Sequence, residues 1–224
     1  LPAGNTRASL VRTVASSWAA TDTAAALAWA TTLRGEEHNG ALQSVISSWA
    51  NTQPREAADY VAELPPGDAQ NGAAQAVVAQ WASLDPPAAA AWAETFSDEN
   101  LRNQAFQSVA GAWAENDADQ AAEWLGRLPP SRARDTAVSA FASAVIWNDP
   151  DAAMRWAGLI ADENQRQNQI RNLAQNWISS DPERARGIYL QDKLGDATEP
   201  YGSVLDKALG ALAERNDSLE HVLD

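Results

Sequence analysis

Any chemistry in this chain has to run through very few residues. It contains two histidines, His38 and His221, and no cysteine. A metal centre or a Ser-His-Asp relay would have to use one of those histidines, while the lack of thiols removes thiolate catalysis, disulfides and most structural zinc sites. His38 stands at the entry to a helical stretch and His221 in the C-terminal segment; both are expected in solvent. The acid pairs Asp98-Glu99 and Asp162-Glu163 could do general acid–base work, but they fall where one helix turns into the next. Carboxylates there favour the N-terminus of the following helix through its dipole. There is no phosphate loop, dinucleotide fingerprint or calcium loop. The residues therefore predict no catalytic site, no metal site and no cofactor, and a protein that is not an enzyme.

Three features read as recognition or as wiring. Arg7, Arg102, Arg134 and Arg166 stand in one register position in the opening turn of a helix. A cation there opposes the helix dipole, so each needs a carboxylate or the carbonyl end of a neighbouring helix. The pairs Asn39/Gln43, Asn71/Gln75, Asn103/Gln107, Asp135/Ser139 and Gln167/Arg171 lie four apart and share one helix face, expected as a solvated face or a docking strip. Trp147 breaks the tryptophan register by two residues. That is about 200° of rotation round a helix, so it either repacks on the next helix or stays exposed as a partner anchor.

The elements that must position these residues follow from a period. Trp18, Trp49, Trp81, Trp113 and Trp177 form one column with Val145 in the gap, at spacings of 31, 32, 32, 32 and 32. Four residues after each stands Asp22, Gln53, Asp85, Asp117, Asp149 or Asp181. Eleven after it stands Trp29, Tyr60, Trp92, Trp124, Trp156 or Ile188. An Asp N-cap accepts from orphan backbone N–H groups, and a Pro at the first helical position has no N–H to lose, so Asp85-Pro86 and Asp149-Pro150 start a short A helix. Leu64-Pro65-Pro66 and Leu128-Pro129-Pro130 stop it. The column Ala26, Ala57, Ala89, Ala121, Ala153 and Ala185 predicts close helix approach. Phe106, Val109, Ala110 and Trp113 give the following B helix an apolar stripe. The expected fold is all-α: a right-handed α-solenoid of about six 32-residue helix-turn-helix repeats.

The run Ala105-x3-Val109-x2-Ala112, followed by the helix-start Asp117 and then Trp124, resembles the second-helix and next-first-helix pattern of tetratricopeptide repeats. The resemblance covers residues 1–190 and implies antiparallel helix pairs stacked in sequence order. Residues 191–224 read as an irregular C-terminal helical segment with a partial repeat.

The net charge is −14, and the only lysines are Lys193 and Lys207, with fourteen arginines scattered along the chain. That balance argues against nucleic acid and against an anionic membrane surface, and no apolar run approaches the roughly 20 residues that span a bilayer. The chain opens at Leu1 without an initiator Met, as expected of either a processed mature chain or an excised fragment, with a mature chain outside the cytoplasm slightly favoured. The function expected is an interaction scaffold for a protein or peptide. Partner contacts fall on Glu56, Asp59, Glu63, Gln120, Glu123, Arg127, Trp147, Arg155 and Arg184, with a ligand cationic near the middle repeats. The alternative is head-to-tail self-assembly into a filament, with Leu10, Val11 and Val14 burying against Leu219, Val222 and Leu223 of a neighbouring copy.

Overall fold

The computed structural model describes residues 5–180. They form eleven α-helices and no strand: α1 (Asn5–Ala19), α2 (Thr23–Ala30), α3 (Gly35–Ala50), α4 (Pro54–Ala62), α5 (Asp68–Leu84), α6 (Pro86–Glu94), α7 (Glu99–Asn116), α8 (Ala118–Arg127), α9 (Arg132–Val145), α10 (Pro150–Gly158) and α11 (Glu163–Ser180). The all-α expectation is met, and long helices alternate with short ones. Asp181, Arg184, Ala185, Ile188, Leu219, His221, Val222 and Leu223, for which the sequence raises expectations, lie outside the described residues.

The short helices start where the caps predict. The carboxylates of Asp22, Asp85, Asp117 and Asp149 accept from the backbone N–H three residues on, at 2.9, 3.2, 3.0 and 2.8 Å. The same residues close the preceding long helix: the N–H groups of Asp22, Gln53, Asp85, Asp117 and Asp149 donate to the carbonyls of Trp18, Trp49, Trp81, Trp113 and Val145 at 2.7–2.9 Å. The four-residue offset between tryptophan and cap is thus one helical hydrogen bond. Gln53 makes no side-chain cap bond, and its Oε1 accepts instead from Trp49 Nε1 at 3.0 Å. At the entry to α3, Gly35 holds φ at 59°, a left-handed backbone that glycine adopts without a Cβ penalty.

Two compact units divide the chain, Leu1–Ala112 and Trp113–Asp224, the boundary falling inside α7. In the first, α1 packs on α3 and α3 on α5, while α2 rests on α1 and α3, α4 on α3 and α5, and α6 on α5. In the second, α8 rests on α9, α10 on α9 and α11, and α9 meets α11. Ala26, Ala57, Ala89, Ala121 and Ala153 are fully buried. At such positions a larger side chain would push the facing helix away.

The tryptophan column is not uniformly buried. Trp113 and Trp177 are 5% exposed, Trp49 and Trp81 are half-buried, and Trp18 is 38% exposed. Four of the rings meet the aromatic of the following short helix: Trp18–Trp29, Trp49–Tyr60, Trp81–Trp92 and Trp113–Trp124 have centroids 6.0, 5.8, 6.0 and 5.7 Å apart. Where Val145 supplies no ring, Trp156 pairs with Phe141, one turn earlier, at 5.2 Å.

Candidate interaction surface

The arginine column is internal wiring. Arg102 Nη1 donates to the Phe96 carbonyl at 2.7 Å, Arg166 Nη1 to the Ile160 carbonyl at 2.5 Å, and Arg134 to the carbonyls of Leu125 and Leu159 at 3.4 and 3.2 Å. Arg7 pairs with Glu37, Nε to Oε1 2.8 Å. The positive charge that opposes its own helix dipole is thus offset by the carbonyl ends of short helices or by a carboxylate, as required. The same register position holds His38 and Gln70, which the column of arginines did not reveal. His38 Nδ1 lies 2.8 Å from the Ala30 carbonyl and Gln70 Nε2 donates to the Val61 carbonyl at 3.1 Å. His38 is therefore half-buried and engaged, not in solvent as expected.

The acid pairs serve the helix starts. Asp98 Oδ1 accepts from the Leu101 N–H and Asp162 Oδ1 from the Gln165 N–H, both at 2.7 Å. Glu163 is paired with Arg166 and accepts from Gln167 Nε2 at 2.6 Å.

The polar columns of the long helices split. Gln43, Gln107, Gln167 and Arg171 are exposed, while Asn39, Asn71, Gln75, Asn103 and Ser139 are half-buried. Asp135 overturns the solvated-face expectation: at 4% exposed it is the one buried charged side chain among the described residues. Its two oxygens accept from the backbone N–H groups of Ala161 and Asp162 at 2.9 and 3.0 Å. Ser139 is used too, its Oγ by Gln165 at 3.1 Å and its carbonyl by Gln169 at 3.0 Å. Gln75 donates to Gln104 Oε1. Gln75 and Ser139 thus tie one long helix to the next, and Asp135 ties α9 to the turn before α11.

The described residues expected to meet a partner sit at the surface. Glu56, Asp59 and Glu63 are exposed along α4, opposite the buried Ala57, Ala58 and Val61. Gln120, Glu123 and Arg127 are exposed on α8, although Gln120 Nε2 is engaged with Asp117 Oδ2 at 2.7 Å. Arg155 is exposed on α10, and Trp147, in the turn after α9, is 61% exposed. Trp147 therefore remains a surface aromatic. On α1, Leu10 and Val14 are 44% and 48% exposed, with Val11 half-buried. Val45 and Val77 occupy the register position of Val14 and are fully buried.

Two adjoining grooves that the sequence did not disclose open in the first unit, where the α6–α7 turn meets the start of α5. One, of about 250 Å³, is lined on its apolar side by Val61, Trp92, Phe96 and Leu101. The other, of about 360 Å³, is polar, lined by Asp68, Gln75, Asn100 and Gln104 among others. Asn71, Asp98 and Leu101 line both. Among the described residues no cluster of His, Asp or Glu could hold a metal ion, and no helix is long and apolar enough to cross a membrane. In comparisons with known proteins, no family model, no curated protein and no solved structure matches the chain.

Proposed function

We propose that this chain is a non-enzymatic interaction scaffold, a right-handed α-solenoid of about six tetratricopeptide-like helix pairs whose exposed short-helix positions bind a protein or peptide. The observation that carries the reading is the division of labour along α4. Ala57, Ala58 and Val61 are buried while Glu56, Asp59 and, at the C-cap, Glu63 remain exposed, so one face holds the fold and the other is available for recognition. The internal use of the arginine column and of the acid pairs supports it, because the residue types best suited to catalysis are spent on helix ends. Three carboxylates on one helix, in a chain of net charge −14, favour a basic ligand, with attraction that salt screens. A panel of fluorescein-labelled peptides of graded charge tests this. Basic peptides should bind and acidic ones should not. The combined Glu56→Lys, Asp59→Lys and Glu63→Lys variant should lose about tenfold or more in affinity, with an unchanged circular dichroism spectrum. Equal binding by this variant, or no binding of any peptide by the parent, would overturn the reading.

A second reading, self-assembly, is favoured by α1. Ala15 and Ala19 of α1 and Ala26 and Ala30 of α2 cluster with Ala41 and Val45 of α3, yet Leu10 and Val14 of α1 are exposed. An apolar stripe of this kind marks an interaction site, here for a second copy of the chain. Light scattering during size-exclusion chromatography should show concentration-dependent oligomers that Val14→Lys disperses. A parent that stays monomeric at high concentration removes this reading.

A further inference from the structure

The geometry points to the paired grooves of the first unit as a subsite for an arginine side chain of a bound peptide, an assignment that rests on the scaffold reading and names what one part of it recognises. The comparison within the chain is the starting point. In the second unit, Asp135 of α9 reaches the α10–α11 turn and its carboxylate is held by the Ala161 and Asp162 N–H groups. The same register position on α5 is Asn71, and there the corner between the long helix and the α6–α7 turn is open. The opening is built for a planar cation with an aliphatic stem. The half-buried Trp92 and Phe96 offer apolar surface, meeting edge to face at 4.8 Å, with the buried Val61 and Leu101 closing the floor beneath them. A guanidinium over an aromatic ring is attracted by the ring quadrupole. The polar groove then places Asp68 and Asp98 where the head would emerge, with the amide oxygens of Asn71, Asn100 and Gln104 as further acceptors.

Charge complementarity selects the sign. Two carboxylates line the grooves and no basic residue does. Arg102, the arginine of this corner, is bonded to the Phe96 carbonyl. Arginine suits the site better than lysine because its flat fork can stack on an indole and bond two acceptors together, whereas an ammonium is a compact, strongly hydrated charge.

The test uses the full chain and one basic peptide of fixed sequence carrying arginine, lysine or citrulline at a single position. Binding is read by fluorescence anisotropy and by the indole N–H resonance of Trp92. The arginine peptide should bind tightest and shift the Trp92 resonance, and citrulline, which keeps the shape and loses the charge, should bind about tenfold more weakly. Asp68→Asn with Asp98→Asn should weaken the arginine peptide by about three- to tenfold, since exposed ion pairs contribute modestly, and should reduce its preference over citrulline to what the aromatic rings alone provide. Asparagine retains the capping oxygen that Leu101 uses, so the fold is kept, as an unchanged melting curve would verify. If basic peptides bind, but Trp92 does not shift or the double variant prefers arginine as strongly as the parent does, this subsite is wrong and the scaffold stands. If no peptide binds at all, both fall.

Discussion

Trp113→Ala is expected to lower stability by about 3–5 kcal/mol, the range for emptying a buried aromatic site. The same change at Trp18 should cost only about 1–2 kcal/mol, because much of that ring already faces water. Trp113 is 5% exposed against 38% for Trp18, and its ring lies stacked on Trp124 at 5.7 Å. Truncation therefore removes both buried area and an aromatic pair, which adds about 0.5–1.5 kcal/mol beyond area alone. Trp49→Ala and Trp81→Ala should fall between. Urea denaturation of the four variants checks the order. Equal losses across the column would contradict the graded burial.

Asp135→Ala is expected to cost about 2–4 kcal/mol, because a charged acceptor is withdrawn from two backbone donors at a buried position. The carboxylate sits on α9 while Ala161 and Asp162 lie in the turn that leads to α11. The loss should therefore be felt first in that turn. Asp135→Asn should lie between, since one carboxamide oxygen can accept one N–H while its NH2 group faces the other donor. Hydrogen exchange provides the local reading. The amides of Ala161 and Asp162 should exchange faster in Asp135→Ala while the amides in α3 and α5 keep their protection. Unchanged exchange at the two turn amides would mean that the carboxylate does not hold the turn.

The helix-level order was legible because it depends on local chemistry. Asp85-Pro86 and Asp149-Pro150 announce helix starts through bonds made within four residues, and the alanine column announces close approach through side-chain size alone. What the sequence hid depends on what lies across the helix. Asp135 sits in a column of amides and looked solvated, and only the turn facing it makes that position a buried anchor. His38 and Gln70 share the arginine column by place, not by residue type; aligning every repeat on the tryptophan, eleven residues downstream, would have found them. Phe141 compensates for Val145 from a neighbouring turn of the same helix, a substitution that no single column displays. The grooves arise at a corner between two turns and a helix start, so no one segment carries their signature.

The short reach of the ties between helix pairs has a kinetic consequence. Arg134 to the Leu159 carbonyl and Gln80 to Ser47 Oγ join residues 25 and 33 positions apart. Closing each such link therefore costs nearly the same loop entropy, since that cost grows only by about 0.6 kcal/mol per doubling of loop length. Low sequence separation between contacting residues goes with fast folding. On the solenoid reading proposed above, the rate-limiting event should be the meeting of two adjacent helix pairs, with each later pair adding at a similar rate. Shortening the chain by whole periods should change its stability far more than its speed of folding.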